Sequence, residues 1–600
     1  MKAIVFRSLV AIMILGCLLM PAPQPARAAD TYLDVNSTGD GSDVILGNGF
    51  CATSGGVCTL RAAIEESNAT TAIHEIIRFN IPGVGPHTIY VPEDSEFPAI
   101  ESASIIGPNL NNLAAIVIDG NGVADRAFFV ASNTGGAVSG LRIQNFKYGG
   151  IGVMGGQDIT IANNIILNNR NTAGISIREG NSGYLRIVGN IIGVNPDDDS
   201  RQANGKGIII DIMSTDTVNI MIGGALLEER NIISGSLSHN IYILNARMEY
   251  PIRIQGNYIG TDPTGTLPIP NGHWAVASGI EIINSYGVIV GGSTPGEGNL
   301  ISGNSGAGVN IDSCAQITVE GNQMSTNASG SASIPNGSHY TSLADVYADN
   351  SQLITVEDNV LLEGLIFSTD GDGFGVSEST VFNNKIGITD SGVVRSSSVA
   401  RRGLYFKGTT DTTASSNGIT GFETGIQVDV NSGVTLRQNK IWGNQGLGID
   451  LVSAIAGVTP NDNLDADSGP NGLQNFPVIT GITKTNIGGA IYVDVAGTYH
   501  SQASTNYRIE LFNSVACDAN GYGEGQKYIA NRNVTTDASG NANWSVTNLL
   551  YYPTLDLIGR CFTATATQVI NPTGPVLGNT SEFSGSAYIE RVLFLPLIRR

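Results

Sequence analysis

The chain is poor in charge, and poorest in positive charge. Only 14% of its 600 residues are Asp, Glu, Lys or Arg, too few for a coiled coil or a solvated helical bundle. Lys and Arg number 31 against 52 Asp and Glu, for a net charge of -21, which speaks against a protein that neutralises nucleic-acid phosphates. Aromatic residues make up 6%, and the C-x-x-C spacing of a structural zinc site is missing. Beyond the first twenty residues no apolar run is long enough to cross a bilayer as a helix. Glycine is what the chain has in quantity. Its 76 copies lack the strict triplets of collagen and stand beside many Asn, a mixture that serves tight turns. The 41% hydrophobic residues suffice for a large core.

Met1-Lys2 and Arg7 precede an apolar run from Leu9 to Met20, then Pro21 to Pro25 and Ala26-Arg27-Ala28. This order predicts a secretory signal peptide over residues 1–28, its apolar core too short to span a membrane. A lipoprotein reading at Cys17 is disfavoured, because the apolar run continues past it and Leu15 is bulky for such a site. Export makes disulfides permissible. The remaining cysteines are Cys51, Cys58, Cys314, Cys517 and Cys561, and the simplest arithmetic pairs Cys51 with Cys58 and Cys517 with Cys561. Cys314, isolated inside a repeat, then reads as a buried filler.

The strongest signal is self-similarity. Ile252-Arg-Ile-Gln-Gly-Asn257-Tyr-Ile259 recurs at Ile159–Ile166, Leu185–Ile192, Ile317–Met324, Ile354–Leu361, Thr380–Ile386 and Val434–Ile441, each a short strand reaching a turn at Asn. A Gly followed by alternating apolar residues recurs from Gly150 to Gly448 and, with looser copies at Asn240 and Ala344, marks eleven coils. Between Gly279 and Gly308 the chain offers three strands before the pattern restarts. Three strands per turn describe a parallel β-helix, in which stacked coils ~4.8 Å apart bury their Ile and Val together. The Asn residues at one corner, among them Asn164, Asn190, Asn257, Asn322, Asn359, Asn384 and Asn439, are expected to stack as an internal ladder.

With its G-N-x-I-G and N-L-I-S-G-N punctuation, the stretch from about Ile116 to Leu451 resembles the right-handed parallel β-helix repeat proteins secreted by bacteria. Cys58-Thr-Leu-Arg-Ala-Ala-Ile-Glu-Glu-Ser-Asn68 resembles the CSLREA segment that precedes such helices, with Thr59 and Ala62 departing from it. The resemblance implies an all-β chain: an N-terminal cap over residues 30–110, a right-handed parallel β-helix over 111–475, and a C-terminal immunoglobulin-like β-sandwich over 476–590. The alternating strands Ile491–Val495, Tyr507–Leu511 and Cys561–Ala566 agree with that last domain. Residues 591–600 form an apolar tail with a basic end, either a last edge strand or a sorting signal.

Chemistry can be placed at several points. Alternation turns Glu281 and Asp312 outward on adjacent coils of the Gly-led sheet, about 8 Å apart by strand geometry, within the range of an inverting glycosidase pair. The commoner explanation is a solvated face of an acidic protein, and no residue is firmly catalytic. Asp462, Asp465 and Asp467 offer closely spaced oxygens that could hold a structural calcium, or form a hydrated Asx-rich turn; no other cofactor is implied. Long insertions at Val194–Lys206, Thr261–Ser278, Ser325–Leu343 and Ile388–Arg402 should emerge from one corner. His273 and Trp274, then His339 and Tyr340, would supply faces for stacking on sugar rings, or simply pack the loops on the coil. The whole reads as a secreted or cell-surface, non-catalytic β-helix for adhesion or polysaccharide binding. Its partner is an extracellular polysaccharide or cell-surface glycan, with no nucleic acid and no transmembrane helix. A polysaccharide lyase or glycoside hydrolase is the alternative.

Overall fold

The computed structural model describes residues 31–70, 74–108, 115–132, 134–212, 217–272, 276–337, 344–369, 375–395, 401–488, 490–551, 561–571 and 576–588. The segment read as a signal peptide and the tail 591–600 lie outside them. Three parallel sheets of 14, 13 and 12 strands run side by side, and from Ala103–Ile106 onward successive strands of the chain visit the first, second and third sheet in turn. The fold is thus the parallel β-helix that the repeats predict.

One file of inward side chains shows why this sequence stacks. Ile161, Ile187, Ile222, Ile254, Val290, Val319, Val356 and Val381 occupy successive rungs of the first sheet, and each of them is fully buried. A strand alone would leave such a side chain wet; burial stabilises by ~1.5–3 kcal/mol each. At the corner between the first and second sheets Asn164, Asn190, Asn231, Asn257, Asn299, Asn322, Asn359, Asn384, Asn417 and Asn439 form a buried ladder. In each but the last the side-chain amide donates to the next carboxamide oxygen and to a strand carbonyl, and Asn439, at the end of the file, donates to Ala414 O. Asn231, Asn299 and Asn417 complete a file of which the repeat string showed only part.

The third sheet has 12 strands where the Gly-led pattern marks eleven. The additional strand is Arg126–Val130, in which Ala127 stands fully buried at the usual glycine position. The sheets also extend into residues 30–110. Thr31–Val35, Glu75–Phe79 and Ala103–Ile106 are the opening strands of the first sheet. Between them the helix Leu60–Ala69, N-capped by the Thr59 side chain, presses Leu60, Ala63 and Ile64 onto the open end of the core. The disulfide Cys51–Cys58 closes the loop before it.

At the other end two antiparallel sheets lie face to face, one of 3 strands and one of 5, sharing a core that includes Val493, Val495, Tyr507, Leu511, Trp544 and Phe562. The second disulfide, Cys517–Cys561, belongs to this unit, and Cys314 is buried and unpaired in the helix. No helix among the described residues is long and apolar enough to cross a membrane.

Candidate functional site

Outward positions of the third sheet form one continuous file along the solenoid: Ile209, Tyr242, Glu281, Asn310, Tyr347, Ile366, Tyr405, Gln427 and Asp450. The alternation that sends Ile280 and Ile282 into the core sends Glu281 out. The adjacent file carries Asp211, Leu244, Ile283, Asp312 and Asp349. Glu281 and Asp312 therefore lie on neighbouring strands, two residues offset, on the same face.

Glu281 is sheltered, with 7% of its surface exposed. Its Oε1 accepts from Asn310 Nδ2 at 2.7 Å, and His239 Nδ1 lies 3.4 Å from its Oε2. Burial raises its pKa, against the hydrogen bonds from Asn310 and Ser278, and the nearby Asp312 charge adds to the rise. His239 is the reverse case, pushed down to about 4 by burial and by Lys206. Its Nδ1 accepts the Ser278 backbone N–H at 3.1 Å, so the imidazole is neutral near pH 7 and its contact with Glu281 is not an ion pair. Tyr242 stacks on His239, with ring centroids 5.6 Å apart, and Lys206 Nζ sits 5.0 Å above the same tyrosine ring. Farther along the file the Tyr405 hydroxyl donates to Asp429 at 2.7 Å. Sugar-ring faces and hydroxyls could both find partners on such a surface, and a sheltered carboxyl with a raised pKa is suited to holding a proton.

The insertions border this face. Each folds into a small hairpin directly after a second-sheet strand, closed by the pairs Val194–Arg201, Thr261–Pro268, Thr326–Ser333 and Ile388–Val394. They occupy one corner, and later ones rest on earlier ones: Ala328 N donates to Gly265 O at 2.9 Å, and the Ser391 hydroxyl donates to Gly330 O. His273, Trp274, His339 and Tyr340 lie outside the described residues.

Asp462, Asp465 and Asp467 do converge, with carboxylate oxygens within 4.8 Å of one another. Asp462 accepts the backbone N–H of Ala466 and Asp467. The buried Asp465 accepts from Asn475 N, Gln474 Nε2 and Ser501 Oγ. Burial, reinforced by their mutual repulsion, raises the pKa of Asp465 and of Asp467.

Sequence reasoning passed over a second pair of insertions, at the corner between the first and second sheets. Gly223-Gly224-Ala-Leu-Leu-Glu-Glu229-Arg-Asn231 and Gly291-Gly292-Ser-Thr-Pro-Gly-Glu297-Gly-Asn299 are copies of one pattern, a Gly pair with Glu two residues before the ladder Asn. That doublet was the available signal.

No family model matches the chain, and no curated protein does. Among solved structures it is similar to PfbA, a surface adhesin of Streptococcus pneumoniae, at 12% identity over 77% of this chain and 98% of that one, TM-score 0.36. It is similar also to full-length tailspike protein 2 of an Escherichia coli O157:H7 bacteriophage, at 12% identity over 91% and 69%, TM-score 0.36. A mutant tailspike of E. coli bacteriophage HK620, in complex with a pentasaccharide, aligns at 13% identity over 89% and 92%, TM-score 0.28.

Proposed function

We propose that the chain is a secreted or cell-surface β-helix that binds an extracellular polysaccharide or cell-surface glycan, without cleaving it, on the outer face of its third sheet. The observation that carries this reading is the file Tyr242, Glu281, Asn310, Tyr347, Ile366, Tyr405, Gln427. Aromatic and hydrogen-bonding groups recur there at the coil spacing of ~4.8 Å, a strip suited to an extended polymer laid along the axis. The insertion ridge beside it would wall the strip, and the sequence of the insertions supplies Trp274 and Tyr340 as further aromatic candidates for stacking on sugar rings. Calcium at Asp462, Asp465 and Asp467 is a structural part of this reading, because a cation relieves the repulsion among three converging carboxylates. Chelation should then lower the melting midpoint, and calcium should restore it.

Glu281 supports a second reading. Its raised pKa and the facing Asp312 suit an acid and base pair of a glycoside hydrolase. Screening the mature chain on a glycan array, while assaying the same polysaccharides for new reducing ends, separates the two. Binding without cleavage, weakened roughly tenfold or more by Trp274→Ala or Tyr347→Ala, is the expected result. Cleavage abolished by Glu281→Gln would transfer the assignment to the hydrolase.

A further inference from the structure

The first sheet carries a separate groove of about 800 Å³, on a different face from the strip described above. Its floor is two outward rows, Tyr184 beside Asn219 and Arg186 beside Met221. Its wall is the pair of loops 224–230 and 292–298. These loops meet over the short turn at Gly256, where Gly256 N donates to Glu297 O at 2.8 Å and an added Cβ would come within 2.1 Å of Gly224 O and 2.8 Å of Gly296 O. The wall is thus one built unit made of two coils.

The charges in the groove are unequally served. Glu229 is paired with Arg186. Asp158 and Glu297 form no ion pair among the described residues: Asp158 accepts the Tyr184 backbone N–H at 2.9 Å, and Glu297 accepts that of Thr294 at 3.0 Å. Asp158 reaches Tyr184 because the intervening position is Gly183, at φ +68, where a Cβ would lie 2.3 Å from the carboxylate. Tyr184 itself is 63% exposed, and it lines the groove together with the two carboxylates and the amides of Asn219 and Gln255. An aromatic face with flanking anionic groups recognises a ring that bears an ammonium, and surplus negative charge repels an acidic one.

We propose that this groove is a binding site for a cationic amino-sugar chain: Tyr184 stacks on one pyranose ring, Asp158 and Glu297 pair with ammonium groups, and Asn219 and Gln255 bond hydroxyls. The assignment stands whether or not the third-sheet strip binds a glycan. The test is calorimetric titration of the mature chain with a fully deacetylated glucosamine hexamer, its N-acetylated counterpart and a galacturonate hexamer. The glucosamine hexamer should bind at least tenfold more tightly than the other two, with affinity falling as salt rises. Tyr184→Ala and Glu297→Gln should each weaken it fivefold or more without moving the thermal midpoint, whereas Tyr347→Ala on the third sheet should leave it unchanged. No binding of the glucosamine hexamer, equal binding of the galacturonate hexamer, or binding indifferent to both Tyr184→Ala and Glu297→Gln would overturn the proposal. The last of these would mark mere attraction to an acidic surface.

Discussion

Asn257 shows how much one side chain can hold. Its amide donates to Ile222 O, Gln255 O and Asn299 Oδ1, and its oxygen accepts from Asn231, all in a region closed to water. Asn257→Ala leaves several buried groups unpaired and should cost on the order of 3 kcal/mol, measurable by denaturant unfolding. Asn219→Ala, in the open groove, should stay within about 0.5 kcal/mol of wild type. Cys314 illustrates the opposite property, inertness. Its thiol donates to Asp312 O at 3.1 Å, and burial pushes its pKa up to about 12. It should resist a thiol reagent at pH 8 in the native protein and react fully once unfolded; rapid native reaction would refute its burial. At Glu281 the folded-state pKa lies above the ordinary value, so its contribution to stability is present below the unfolded pKa and is lost as pH rises through the folded one. Glu281→Gln should therefore melt no lower than wild type at pH 7, and its advantage should grow from pH 4 to pH 7.

At the scale of elements, the last coil would expose the edges of three sheets, and the sandwich answers with one buried glutamate for each. Glu510 accepts from Gln438 N after the final first-sheet strand. Glu524 accepts from Asn444 N and Nδ2 after the second-sheet strand, and Glu582 accepts from Leu451 N in the third-sheet strand and from Thr459 N. Burial pushes Glu582 up to about 8 against these bonds. Its stabilising contribution is thus complete below the ordinary glutamate range and is lost as pH rises through about 8. Protection of the Leu451 and Thr459 amides against hydrogen exchange, corrected for intrinsic rate, should be higher at pH 5 than at pH 9, and Glu582→Gln should flatten that dependence. Little of this capping was legible in the sequence. The repeat strings report Ile and Val files and the Asn corner directly, because every coil must solve the same packing problem. Glu510, Glu524 and Glu582 occur once each, with partners 72, 80 and 131 residues away, and no periodicity announces them. Glu281 and Asp312 could be placed on one face by counting from Gly279 and Gly308. The shelter given to Glu281 by His239 and Asn310 could not, since it depends on lateral neighbours from other coils. The groove at Tyr184 was hidden for a further reason: its wall comes from a doublet in only two coils, which a search for what all coils share discards.

For the whole molecule, these ends decide whether a solenoid remains single. A parallel β-helix is a stack of coils whose interior never closes on itself, so each terminus presents unpaired strand edges and an apolar cross-section to any similar chain. Here the helix Leu60–Ala69 covers one end, and the sandwich covers the other, with Phe512 and Phe583 packed into the same core as Leu436 and Leu451. Removing the sandwich by ending the chain after Pro477 would uncover Val434–Arg437, Lys440–Ile441 and Ile449–Leu451 together, with the N–H groups that the three glutamates now hold. The chain's large negative charge opposes association at low salt, but at physiological ionic strength its reach shrinks to ~8 Å, short enough for exposed edges to pair. The truncated chain should therefore elute as oligomers in light-scattering chromatography at physiological salt, while the full mature chain should show none of this edge-driven association. Lowering the salt should partly redisperse the oligomers. A truncated chain that stays monomeric at physiological salt, with the thermal midpoint of the intact protein, would show that the sandwich is an appendage and not the seal of the stack.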